Sequence, residues 1–110
     1  MYEFDQVVDA SEAEPSLPTA FHLAQNHPNP FNPRTTISFR LRERALATLE
    51  IYNVFGQRVR TLFNESKSAG EYRVEWDGTD DNGSVVASGV FLYRLSVGDF
   101  VEVKKMTFLK

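Results

Sequence analysis

The sequence contains no cysteine, so no disulfide can staple the fold and no thiol reports a redox compartment. Histidine is scarce: His22 and His27 are the only two. Both lie in a proline-containing stretch, a poor place to hold a general base in fixed geometry, and a solvent-exposed or capping role is expected of each. No serine sits in a nucleophile motif, and no glycine-rich phosphate loop precedes a helix. No catalytic or cofactor-binding residue is therefore nominated, and no enzymatic activity is expected. No apolar run approaches the ~18 residues of a membrane-spanning helix. The first twenty residues lack the basic start and apolar centre of a secretory signal. If the domain is exported, its signal lies elsewhere and the chain is expected to be a fragment of a longer precursor. A convincing 3.6-residue apolar period is missing throughout, so no helix is expected.

What is present suffices for a core: 42% of the 110 residues are hydrophobic and 13% aromatic, which excludes wholesale disorder. The net charge of −3 is unevenly spread. Residues 1–19 hold Glu3, Asp5, Asp9, Glu12 and Glu14 without a single base, and read as an acidic, flexible linker. Phe4, Val7 and Val8 within it are able to pack only weakly on the domain. Residues 20–110 form that domain. It carries all 12 Lys and Arg against the remaining 10 of the 15 acidic residues, a balance of +2. Nothing in that balance favours a nucleic-acid partner. Arg40, Arg42 and Arg44 read as a solvated edge that discourages sheet-to-sheet aggregation.

The chain is organised around Gly70 to Leu95, GEYRVEWDGTDDNGSVVASGVFLYRL. Tyr72, Val74 and Trp76 alternate with Glu71, Arg73 and Glu75, the period of a half-buried strand. Asp77, Gly78, Thr79, Asp80, Asp81, Asn82 and Gly83 then cluster as turn formers. After Gly89 a second strand places Phe91, Tyr93, Leu95 and Val97 on one face. Asp77, Thr79, Asp81 and Asn82 resemble a calcium loop, but Asn82 and Ser88 stand where an EF-hand requires Gly and Glu. Asp77 or Asp80 is expected to cap backbone amides instead, and no metal ligand is nominated.

Upstream, Phe21 and Leu23 suit an edge strand. Pro28, Pro30 and Pro33 then forbid a regular ladder, because each lacks an amide hydrogen. The expected result is a stiff segment crossing the end of a sandwich, with Phe31 pinned into the core. Thr35 to Leu41 alternates with Ile37, Phe39 and Leu41 inward. Arg42 to Arg44 is a charged turn, and Ala45 to Asn53 puts Ala47, Leu49 and Ile51 inward. Gly56 is the expected positive-φ residue of the next turn. Arg58 to Phe63 reads as a short strand in which Val59 and Leu62 change parity, the sign of a bulge or an edge, and Asn64 to Ala69 reads as a polar loop. Gly98-Asp99 signals a hairpin. The last strand carries Val101 and Val103 on one parity and Met106 and Phe108 on the other, so a bulge near Lys104-Lys105 is expected. About seven short strands with turns between them predict an all-β, immunoglobulin-like antiparallel β-sandwich. Its core is expected to contain Ile37, Phe39, Leu49, Ile51, Tyr72, Val74, Trp76, Phe91, Tyr93, Leu95 and Phe108.

The segments LAQNHPNPFNPRTTISFRL, LEIYNVFGQRVRTL, AGEYRVEWDGTDDNGSVVASGVFLYRL and KKMTFLK together resemble the C-terminal sorting domain of type IX secretion substrates. They are also similar to the immunoglobulin-like domain of the flagellar hook-capping protein. The resemblance spans residues 21–110. It implies a terminal address label on an exported cargo protein joined upstream, with the chain's end at Lys110 in the terminal position. An outer-membrane translocon would recognise the label and a sortase-like peptidase would remove it, with cleavage in or near the linker. The cargo would pass the periplasm in transit and end secreted or attached to surface lipopolysaccharide. Two surfaces are nominated for recognition: Asn26, Pro28, Asn29, Pro30, Phe31, Asn32 and Pro33 in the proline segment, and Lys104, Lys105 and Lys110 at the last strand. The rival reading is a structural or adhesive accessory module, serving as spacer, assembly piece or weak glycan binder. Tyr52 is the aromatic that reading would need exposed. No cofactor is implied.

Overall fold

The computed structural model describes residues 21–110; the acidic linker expected over residues 1–19 lies outside them. Seven strands follow in order: β1 His22–Leu23, β2 Thr35–Leu41, β3 Ala45–Asn53, β4 Arg58–Lys67, β5 Gly70–Trp76, β6 Gly89–Val97 and β7 Phe100–Phe108. They form two antiparallel sheets, β1-β2-β5 and β4-β3-β6-β7, in an immunoglobulin-like sandwich. The period-two runs of β2, β3, β5 and β6 become strands whose apolar parity points between the sheets. Ile37, Phe39 and Leu41 meet Leu49, Ile51, Tyr93 and Leu95 across the gap. Trp76 is fully buried at one end. Its ring meets Phe91 edge-on at 5.4 Å and lies 5.6 Å from Phe31. Its Nε1–H donates to the Thr79 carbonyl at 2.8 Å, so its one polar atom is satisfied. Tyr72 and Val74 are half-buried and pack against this core rather than within it.

The parity changes in β4 are bulges. Pairing with β3 runs Leu49↔Phe63, then Glu50↔Thr61, and Ile51↔Arg60, then Tyr52↔Arg58. Leu62 and Val59 are the two skipped residues, so each extra residue restores its neighbours to their faces. The polar loop expected over Asn64 to Ala69 is corrected: β4 continues to Lys67, and only Ser68-Ala69 lies between it and β5. An outer strand needs no apolar alternation on its solvated side, and Lys67 sets its ammonium over the Phe63 and Tyr72 rings at 5.0 and 4.9 Å.

The expected bulge in β7 is also corrected. Its pairing with β6 is unbroken from Val97↔Phe100 to Gly89↔Phe108. Val101 and Val103 therefore face outward, 55% and 49% exposed. The inward parity carries Glu102 and Lys104, which pair at 3.5 Å. The two-residue β1 packs against β7, and Glu102 Oε1 accepts the Leu23 amide at 3.3 Å. Thin cover on the inner side makes charge tolerable there. Gly78 is required by a close approach: its φ is +80°, and a Cβ would come 3.2 Å from the Phe108 ring.

Trp76→Ala is expected to cost about 3–5 kcal/mol, the usual loss for a large aromatic truncated in a core. Denaturant melts measure it, and a loss below about 1 kcal/mol would contradict the packing described.

Candidate functional site: the proline strap and the last strand

The two segments nominated separately from the sequence meet in the fold. After β1 the chain remains beside β2, with Ala24 N donating to Ser38 O at 2.9 Å and His27 exchanging both backbone bonds with Thr36 at 2.9 Å. It then crosses to the other sheet. Phe31 pairs in parallel with Phe108: Phe31 N donates to Thr107 O and Leu109 N donates to Phe31 O, each at 3.0 Å. The Asn29 side chain accepts the Thr107 amide at 2.9 Å, and Gln25 Nε2 donates to Lys105 O at 2.7 Å. Residues 24–33 thus strap the outer edge of β7. The three prolines fall at positions that donate no bond, while the strap's amides to the sheets come from Ala24, His27 and Phe31. All three X-Pro bonds are cis.

The crossing leaves polar backbone inside the sandwich, and three side chains satisfy it. The Tyr93 hydroxyl accepts from Asn26 N at 2.8 Å and donates to Ala24 O at 2.7 Å. Asn26, 3% exposed, donates through Nδ2 to Thr35 Oγ1 at 2.9 Å and to Pro28 O at 3.1 Å. Thr35 Oγ1 in turn donates to Pro28 O at 2.8 Å. The Phe31 ring stacks on Phe108 with centroids 5.0 Å apart. Burial pushes the Tyr93 phenol up to about 12; the nearby Glu102 charge adds to the rise and the Asn26 amide opposes it.

Of the nominated residues, Asn26 and Phe31 are buried and so hold the strap rather than face a partner. Pro28, Asn29, Pro30, Asn32, Pro33, Lys105 and Lys110 are exposed. Lys104 is half-buried in its pair with Glu102. Leu109, half exposed, lies on the same surface and was not nominated. Sequence reasoning also missed the roles of Tyr93, Gln25 and Thr35. The available signal was a Tyr, rather than a Phe, at a core position of β6.

The Asp-rich turn is occupied by capping. Asp77 Oδ1 accepts from the Thr79 amide and hydroxyl, at 3.2 and 2.6 Å. Asp80 Oδ1 accepts from Asn82 N and Ser84 N, at 2.9 and 3.0 Å. The Thr79 hydroxyl is the main reason the Asp77 carboxyl stays below the ordinary carboxylate range. Among the described residues no cluster of three His, Cys, Asp or Glu is placed to hold a metal. Tyr52 is only partly exposed. Its hydroxyl donates to Glu50 Oε1 at 2.8 Å and the Arg94 guanidinium covers its ring at 5.1 Å, leaving little of a sugar platform.

The FlgD Ig-like domain family matches residues 28–99, well over half of the chain. Two solved structures share the fold. One is dimeric latent PorU from Porphyromonas gingivalis, with a TM-score of 0.67 and 20% identity, covering 91% of this chain and 10% of that one. The other is PorZ, described as an essential bacterial surface component of the type IX secretion system of the same organism, with a TM-score of 0.51 and 19% identity, covering 82% of this chain and 11% of that one. At those identities the likeness is one of fold, and this chain spans about a tenth of the length of either protein. No curated protein matches the chain.

Tyr93→Phe removes one hydroxyl and leaves a buried amide and a buried carbonyl without their partner, an expected loss of about 1–3 kcal/mol. The pH dependence has a definite sign. A phenol raised from 10.0 to about 12 favours the folded state while neutral. Its contribution is complete below pH 10 and is lost as pH rises toward 12. Chemical melts across that range should show the decline in the parent and its absence at this position in Tyr93→Phe.

Proposed function

The chain belongs to the FlgD Ig-like domain family, and from that premise we propose that it is a non-enzymatic C-terminal sorting domain that directs an exported cargo through the outer membrane by type IX secretion. The observation that carries the proposal is the joining of the strap to β7. The exposed Pro28, Asn29, Pro30, Asn32 and Pro33 lie on a segment that the Phe31–Thr107 and Leu109–Phe31 backbone bonds hold against the segment carrying the exposed Lys105, Leu109 and Lys110. A translocon that tests for a folded label needs such a surface, because only a folded chain brings segments some 75 residues apart together. The likeness in fold to PorZ, a surface component of that secretion system, supports the reading. On it, the domain travels with its cargo through the periplasm. The translocon and a sortase-like peptidase are its partners, and removal of the domain precedes attachment of the cargo at the cell surface.

Fusing the chain to an inert exported reporter, in a host with a working type IX system, tests the proposal. The reporter is expected at the surface or in the medium, and retention in the periplasm would sink it. Lys105→Gln with Lys110→Gln, at two exposed positions, should shift stability by no more than about 0.5 kcal/mol each. The double variant is expected to melt like the parent while its cargo accumulates inside the cell. Normal export would remove these lysines from the signal and leave it to the strap.

A further inference from the structure

The outer face of the three-stranded sheet contributes nothing to that surface, and strand register arranges it in three rows. They read His22–Arg40–Glu71, Ala24–Ser38–Arg73 and His27–Thr36–Glu75. The middle row begins with two small residues, so Ala24 and Ser38 make a low floor between taller neighbours. Two grooves result, and they meet over Ser38 and Arg73. The first encloses about 440 Å3 and is walled by His22, Tyr72 and the Arg40–Glu71 pair. The second encloses about 340 Å3 and is walled by Gln25, His27 and Thr36.

The arginines of this face are not equivalent. Arg34 pairs with Glu75 at 3.1 Å and Arg40 with Glu71 at 3.5 Å. Arg73 stands opposite Ser38, and among the described residues no carboxylate pairs with it. The two glutamates beside it on β5 are those already engaged by Arg40 and Arg34. The unengaged Arg73 guanidinium, two hydroxyls and two imidazoles therefore converge on a concave site with a small-residue floor. A planar guanidinium fork and adjacent hydroxyls match the oxygens of a phosphate group.

We propose that these joined grooves bind a phosphate group. Arg73 is the principal donor, Ser38 and Thr36 donate from the floor and wall, and His22 and His27 flank the anion. The volume exceeds that of a bare phosphate, so there is room for a small organic body attached to it. Two sources share this chemistry, free phosphate and a phosphorylated sugar.

The test is a titration of the isotope-labelled chain with inorganic phosphate, glucose 6-phosphate and glucose at constant ionic strength, followed through backbone amides. Saturable shifts centred on Ala24, Ser38 and Arg73 are expected with both phosphates and not with glucose. Tighter binding of glucose 6-phosphate than of inorganic phosphate would identify an organic body as belonging to the ligand; equal binding would identify the bare anion. Arg73→Gln should weaken both by about tenfold or more, the loss expected for a charge-assisted bond, while melting like the parent. Arg73→Lys, which keeps the charge and loses the fork, should bind between the two. The proposal is overturned if neither phosphate gives saturable shifts, if glucose shifts the same amides equally, or if folded Arg73→Gln and Arg73→Lys bind as the parent does.

Discussion

A chain that leaves one sheet and joins the other must carry polar backbone through the interior, and every amide and carbonyl on that path needs a partner. Here the crossing occurs between Ala24 and Phe31, and the Tyr93 hydroxyl answers it from β6 by accepting one bond and donating another. Asn26 and Thr35 extend the same network to Pro28. Without that trio the strap has no fixed path from β2 to β7, and the edge of β7 has no cover. The placement of the nominated surface thus depends on a few buried polar atoms more than on the prolines that mark it in the sequence.

The strands were legible in the sequence because burial on one face imposes a period of two. Ile37-Phe39-Leu41 and Phe91-Tyr93-Leu95 follow it without exception. The broken parity at Val59 and Leu62 was legible as well, since a bulge leaves its skipped residue out of phase. Two readings failed for a common reason. Asn64 to Ala69 reads as a loop, and Val101 with Val103 demands a bulge, only if apolar and buried are equivalent. Outer strands break that equivalence, since their faces are only partly covered. At the site, Phe31 was readable as an anchor, whereas the burial of Asn26 was not. An Asn among prolines suggests a turn until the hydroxyls of Tyr93 and Thr35, distant in sequence, are found beside it.

The four-stranded sheet closes both of its outer edges at one end of the sandwich. The strap covers β7. On the opposite side the Asp-rich turn covers the start of β4: Asp81 N donates to Val59 O at 3.0 Å, and Asp81 Oδ1 accepts from Thr61 N at 3.1 Å. Arg60 reinforces the contact through Asp77 and the Thr79 hydroxyl. Carboxylates that in isolation suggest a cation site here complete a sheet edge, a use that also discourages pairing with other chains.

The parallel pairing of Phe31 with Phe108 bears on how the domain responds to tension. The strap and β7 run in the same direction, with Phe21 packed on Phe100 at one end of the sandwich and Lys110 at the other. A pull applied between residue 21 and Lys110 would draw the strap and β7 past one another lengthwise. The Phe31–Thr107 and Leu109–Phe31 bonds, the Asn29 contact and the stacked Phe31 and Phe108 rings would then carry the load together rather than break in succession. The topology that closes the edge also makes the domain a mechanical clamp against force transmitted along its chain.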